Sequence, residues 1–222
     1  MRTLPDYLPK ESRLVIVGCN PSLVAALTGF YYSGRGNQFW SLLCDSGLVP
    51  GRLRPVDTER VTEFGIGLTD LVKRPTKGSD GVSKREFGRG RDVLMRKLET
   101  LSCPRVIVFN GKIVYEQFKG RKCDYGLQKE RLYGAAVYVL PSTSRRCART
   151  SYRQKLRHFR RVFRLVRIKN QAGERPQSKV KGLAAEFQAS EPCPSRSFPG
   201  SRESLFAVPF SSKRRKHSCL SS

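Results

Sequence analysis

Two short loops carry the residues best suited to chemistry: Gly18-Cys19-Asn20-Pro21-Ser22 near the start, and Leu140-Pro141-Ser142-Thr143-Ser144-Arg145-Arg146-Cys147 far downstream. The carboxamide of Asn20 can hold a water molecule by hydrogen bonds, but it lacks the basicity to deprotonate that water efficiently. No Asp or Glu lies in the first loop and no His in the second. Any hydrolysis here is therefore slow and depends on the quality of the leaving group. Asn before Pro is also the sequence of a turn or a helix N-cap. The run Asn110-Gly111-Lys112 has the form of a strand-to-helix junction, where N-terminal N–H groups and an ammonium can hold a phosphate.

The elements around these loops are expected to bring them together. Residues 14–17, 65–71, 106–109 and 136–140 are short, non-alternating apolar runs, the pattern of strands covered on both faces. Amphipathic spacing predicts helices over 37–48, 89–101, 112–118 and 150–168. Alternation of this kind gives an α/β fold, three layers α/β/α around a short, mainly parallel sheet. Ligands bind beyond the carboxyl ends of such strands, so two loops that each leave a strand can face one another across one cleft. The last helix sets Tyr152, Leu156, Phe159, Phe163 and Val166 on one face and Arg153, Arg157, Arg160, Arg161, Arg164 and Arg167 on the other. The stripe reads as core; the arginines read as a solvated rim with weak phosphate attraction.

Charge points to a polyanionic partner. The chain of 222 residues has a formal net charge of +25, and such a surface attracts nucleic acid by releasing the counterions condensed on phosphates. Residues 1–170 hold 34 Lys and Arg against 14 Asp and Glu, and 171–222 hold 9 against 4, so most of the excess lies in the first part. Composition shifts near Asn170 to Ser, Pro, Lys and Arg. One domain over 1–170 is expected, followed by a disordered basic tail over 171–222. Lys213-Arg214-Arg215-Lys216 in that tail fits a nuclear import signal, an extra phosphate contact or a solvated charge run. Seven scattered cysteines without a C-x-x-C pair, and only His158 and His217, fit neither a disulfide framework nor a metal cage. A reducing compartment and no metal or cofactor are expected. No signal-peptide pattern or membrane-length apolar run occurs in the sequence, so a soluble protein without membrane contact is expected.

A family resemblance rests on ordered blocks: Gly18-Cys19-Asn20-Pro21-Ser22-Leu23, Thr28-Gly29-Phe30-Tyr31-Tyr32, Gly36-Asn37-Gln38-Phe39-Trp40, Gly65-Ile66-Gly67-Leu68-Thr69-Asp70-Leu71-Val72-Lys73-Arg74-Pro75-Thr76, Ser83-Lys84, Val108-Phe109-Asn110-Gly111-Lys112, and Leu140-Pro141-Ser142-Thr143-Ser144 with Arg146-Cys147-Ala148. Together, over roughly residues 6 to 168, they resemble the mismatch-specific uracil/thymine DNA glycosylases. The Ser-Thr-Ser and Arg-Cys-Ala residues are closer to the thymine-DNA glycosylase branch than to the bacterial mismatch uracil branch. The resemblance implies a uracil-DNA-glycosylase-like fold. It also implies a monofunctional, cofactor-free enzyme, expected to be a monomer, that removes uracil, and more slowly thymine or modified pyrimidines, opposite guanine in double-stranded DNA. Base excision repair in the nucleus follows from the same branch, with repair-protein partners reached through the tail. The alternative is a catalytically weak mismatch- or duplex-binding protein that keeps the fold.

The resemblance also implies roles. Asn20 places the attacking water, and Gly18, Cys19, Tyr32, Asn37 and Asp70 form the base pocket. Tyr32 stacks on the extruded base, unless it is a loop aromatic packed on the core. Asn37 braces the first loop or caps the helix that it begins. Asp70 stands where the animal enzymes have Asn; an ionised carboxylate accepts the N3–H of uracil but disfavours an anionic 5-carboxyl substituent. Arg146 fills the gap left by the extruded nucleotide, Ser142 and Ser144 hold flanking phosphates, and the backbone of Cys147 and Ala148 meets the unpaired guanine. Asn110, Gly111, Lys112, Ser79 and Lys77 contact the strand. Arg145 replaces a small residue, adding a phosphate contact or narrowing the wedge. Ser22 replaces Gly, which carries a cost if that position needs positive φ.

Overall fold

Each continuous apolar run of the sequence is a strand whose side chains alternate between two apolar layers. The computed structural model describes residues 3–102 and 104–167. Strands β1 (Leu14–Gly18), β2 (Ile66–Asp70), β3 (Val106–Asn110), β4 (Gly126–Leu132) and β5 (Ala135–Leu140) form one sheet in the order β2-β1-β3-β5-β4. The first four in that order run parallel, and β4 is antiparallel to β5. Leu14 and Ile16 join a cluster with Tyr31, Phe39 and Phe159, whereas Val15 and Val17 join one with Phe87, Leu94 and Tyr115. The period of two is thus present, hidden because both faces are covered.

The helices are α1 (Leu23–Thr28), α2 (Phe39–Asp45), α3 (Lys84–Glu99), α4 (Lys112–Lys119) and α5 (Tyr152–Arg167). Helices α2 and α5 cover one face of the sheet, α3 and α4 the other, which is the expected α/β/α layering. The N-terminal segment closes the β2 edge: Tyr7 N–H donates to Leu68 O at 2.9 Å and Leu68 N–H to Tyr7 O at 2.7 Å. No helix of the described residues is long and apolar enough to cross a membrane. The expected tail over 171–222, with its basic cluster, lies outside the described residues.

Three local features depart from expectation. Strand β4 is unforeseen because it is an edge strand, its residues alternating between buried or half-buried and exposed after Gly126, and charge on an edge discourages further pairing. It meets β5 through Tyr133 (φ 48°) and Gly134 (φ 77°), a two-residue turn whose left-handed pair matches strand twist. Helix α3 begins at Lys84, not 89. Ser83 Oγ accepts Glu86 N–H and the Glu86 carboxylate accepts Ser83 N–H, a capping box ahead of the apolar periodicity. Ser22 does not strain its position: with φ −70° it is the N-cap of α1, its Oγ accepting Ala25 N–H at 3.1 Å. Urea denaturation of Ser22→Ala is therefore expected to show a loss of about 1 kcal/mol, and of Ser22→Gly only a few tenths; equal losses would contradict the cap.

Candidate active site

The carboxyl ends of the four parallel strands open onto a cleft of about 450 Å³ whose wall includes Gly18, Asp70, Asn110 and Ser142. This is the switch point of the sheet, where connections from β1 and β3 diverge to opposite sides. Asn20 and Arg146 both line the cleft, so the two loops do face a common space.

Asn20 is held from one end. Its Nδ2 donates to Thr76 Oγ1 at 2.7 Å, to Arg74 O at 2.9 Å and more weakly to Pro21 O at 3.3 Å. A backbone carbonyl can only accept, which assigns the nitrogen to that side. Thr76 Oγ1 in turn donates to Gly78 O at 2.6 Å, so its lone pair must face Asn20. The segment after β2 is tied to the first loop again by Thr76 N–H to Pro21 O at 3.2 Å. With both amide protons committed, the group Asn20 can offer to a ligand is Oδ1, an acceptor. Thr76 was inside a motif block, yet nothing in the sequence marks it as the residue that orients Asn20.

Asp70, the last residue of β2, lies on the wall of the same cleft. It is 5% exposed, and its Oδ2 is buried with no hydrogen-bond partner among the described residues, as is Tyr32 Oη. A Cβ at Gly18 would lie 2.1 Å from Asp70 Oδ1 and 3.1 Å from Tyr32 Oη, so glycine ends β1 because the carboxyl packs onto its backbone. Burial pushes the Asp70 carboxyl up to about 7, with Lys73 and Lys97 pulling it down and Asp6 pushing it further up. No donor among the described residues reaches Oδ2, and burial favours the protonated form over the ionised one expected from the sequence. Asp6 is the contrast. Burial raises it too, but hydrogen bonds from Lys73, Lys97 and Thr69 outweigh burial and leave its carboxyl below the ordinary value. The Cys19 thiol is pushed up to about 12 by burial and then by Asp70, so it supplies no thiolate nucleophile at neutral pH.

Tyr32 stacks on Phe39 with ring centroids 3.9 Å apart and holds φ at 54°, a left-handed conformation that costs a non-glycine residue about 1–2 kcal/mol. Asn37 Oδ1 accepts Phe39 N–H at 3.0 Å. This is an Asx turn one residue ahead of the helix N-cap, Gln38, and it steadies the ring beneath Tyr32; among the described residues Asn37 makes no side-chain hydrogen bond to the first loop.

The second loop is anchored through its middle. Thr143 is buried, with its Oγ1 accepting Asn110 Nδ2 at 3.0 Å and its N–H donating to Asn110 Oδ1 at 3.2 Å. Asn110 therefore braces the loop, and both ends of its carboxamide are used within the protein. Thr143 O accepts Gln38 N–H at 3.0 Å, and Gln38 Oε1 accepts buried Lys155 Nζ at 2.9 Å. Lys155 had a legible signal, since it sits three residues from Tyr152 and four from Phe159, on the apolar stripe of α5. Flanking Ser142 and Ser144 line the cleft with Cys147. Cys147 N–H is occupied by Ser144 O at 3.0 Å, and Ala148 is exposed outside the lining.

Two arginines leave this loop for opposite banks. Arg146 Nη1 lies 3.6 Å from Asp80 Oδ1, beside Gly78, and spans toward the bank that carries Lys77 and Ser79. Arg145 lays its aliphatic stem against Gly36. Gly111 lines the cleft, but Lys112 Nζ turns to Asp124 at 3.2 Å and over the Tyr125 ring, away from a phosphate in the cleft.

A family model described as the uracil DNA glycosylase superfamily matches residues 5–167. The solution NMR structure of a candidate uracil DNA glycosylase from Methanosarcina acetivorans is similar in fold, with a TM-score of 0.53 and 23% identity, covering 74% of this chain and 97% of that one.

Proposed function

We propose that this chain, which belongs to the uracil DNA glycosylase superfamily and thus to the hydrolases of N-glycosyl bonds in DNA, removes uracil, and more slowly thymine or modified pyrimidines, opposite guanine in double-stranded DNA. The observation that carries the reading is Asn20, locked by Thr76 and Arg74 so that only its oxygen is offered to the cleft. That oxygen accepts a hydrogen bond from a water and so turns the water's lone pair toward C1′. The C1′–oxygen bond forms as the C1′–N1 bond breaks, the bonding pair leaves on the base, and the proton of the water passes to solvent. With no carboxylate in the first loop and no imidazole in the second, expulsion of the base carries most of the barrier, so uracil and cytosines with electron-withdrawing 5-substituents leave faster than thymine.

The extruded base extends the Phe39–Tyr32 stack, an interaction worth ~1–3 kcal/mol per base. Ser142 and Ser144 face the cleft for phosphate contacts, with Ser79, Lys77 and the Gly111 junction on its other walls. Arg146 takes the vacated place in the helix. Its pairing with Asp80 is between exposed groups, worth at most about 1 kcal/mol, so a duplex can displace it. Arg146→Ala is expected to slow excision from a G·U duplex about tenfold or more, the unstacking being a few kcal/mol harder to sustain. Excision from single-stranded DNA should change far less, and equal losses on both substrates would remove the wedge role.

The reading is tested by incubating the protein with an end-labelled G·U duplex and cleaving with alkali. Strand scission that depends on Asn20 supports it. Tight binding without abasic sites identifies a duplex-binding protein instead.

A further inference from the structure

We propose that Asp70 reads the extruded base as a neutral acid, one oxygen accepting the N3–H of uracil or thymine while the protonated oxygen donates to the adjacent ring carbonyl; this rests on the glycosylase reading above. Three observations point there. Asp70 Oδ2 and Tyr32 Oη are both buried in the cleft region without a partner among the described residues, and an unpaired buried polar atom on a cleft wall is free to be completed by a bound group. Oδ1 is packed against Gly18 with no room for a side chain there. An ionised carboxylate in this same protein looks different: Asp6 receives Lys73, Lys97 and Thr69, whereas no donor among the described residues reaches Asp70 Oδ2.

The chemistry follows from the edge of the base. A neutral carboxyl offers an acceptor and a donor side by side, as a carboxamide does, and this complements the donor–acceptor edge formed by N3–H and a carbonyl. An ionised carboxyl offers two acceptors, meeting N3–H while repelling the carbonyl oxygen. The groups that face Asp70 are Asp6 of the N-terminal segment, Lys73 beyond β2, Lys97 of α3, Tyr31 and Tyr32 before α2, and Cys19 beyond β1. Burial raises both tyrosines and Cys19, so these stay uncharged around neutrality. The carboxyl of Asp70, which burial places near 7, is then the group whose proton switches recognition on.

Two measurements on the full chain test this. In protein labelled with ¹³C at aspartate carboxyls, one resonance, absent from Asp70→Asn, should titrate near neutrality, and Lys97→Met should move its midpoint upward. In single-turnover assays on G·U duplex, wild-type rates should fall roughly tenfold per pH unit above that midpoint. In Asp70→Asn the ratio of rates at pH 6 and pH 8 should collapse to within about twofold of unity. An Asp70 resonance already ionised at pH 5 overturns the inference, as does a wild-type rate that rises with pH across the same range, the mark of a general base. If Asp70→Asn does not fold, an aspartate resonance titrating near neutrality that responds to Lys97→Met still decides it. A wild-type protein that releases no uracil at any pH overturns the glycosylase reading itself, and this inference with it.

Discussion

Asn20→Ala is expected to slow uracil release from a G·U duplex by at least ~100-fold, with duplex affinity nearly unchanged. The asymmetry follows from where the carboxamide is held. Its nitrogen is bound by Thr76, Arg74 and Pro21, groups of the protein itself, and its oxygen is the part that meets a water. Removing it leaves the cleft, the serines and Arg146 in place but lets the nucleophile wander, and misplacement by about 1 Å is enough to lose ~100-fold in rate. Single-turnover kinetics paired with a binding titration separates the two effects. Parallel loss of rate and affinity would mean that Asn20 shapes the loop and does not place a water. Thr76→Val is a milder version of the same experiment, since one of the anchors on Nδ2 disappears while the acceptor oxygen stays.

Asp70→Asn is expected to stabilise the folded protein at pH 8 by roughly 4 kcal/mol relative to its effect at pH 4. A carboxyl whose folded pKa is raised from 3.8 to about 7 binds its proton more tightly in the folded state than in the unfolded one. The stability this confers is fully present below about pH 4 and is lost as pH rises to about 7, because over that range the unfolded chain gives up its proton while the folded carboxyl keeps it. Above that, the folded protein carries a buried charge that the unfolded chain exposes to water. An amide has no such charge, so the advantage of the variant grows through the same window and then levels off. Urea denaturation at a series of pH values measures it, and a difference independent of pH would show that Asp70 is ionised comfortably in the native state. A site residue that destabilises its own protein is a familiar compromise between stability and function.

How much of this was legible before folding can be judged residue by residue. The strands 14–17, 65–71, 106–109 and 136–140 were visible as apolar runs, and each differs from the observed strand by at most one residue at an end. Burial on both faces leaves an unbroken hydrophobic signature, which is why they were plain. Strand β4 was not visible, because an edge strand gains its place from pairing with β5 and needs no apolar run of its own. The start of α3 was written in Ser83 and Glu86, but as a cap and not as a stripe.

For the site, the sequence by itself determined which chemical groups are available: a carboxamide in place of a base, an aromatic, a carboxyl, two serines and an arginine, in loops that follow strands. Residue type and its place after a strand are local properties, so local pattern reveals them. Tertiary structure alone decided what those groups are free to do. Thr76 takes the Asn20 nitrogen, Thr143 takes both ends of Asn110, and Asp124 takes Lys112. It also decided that Asp70, acidic by composition, is sealed against Gly18 with an oxygen unmet. Hydrogen-bond allegiance and desolvation depend on neighbours that folding brings together from twelve to more than fifty residues away, and those two quantities set protonation and orientation.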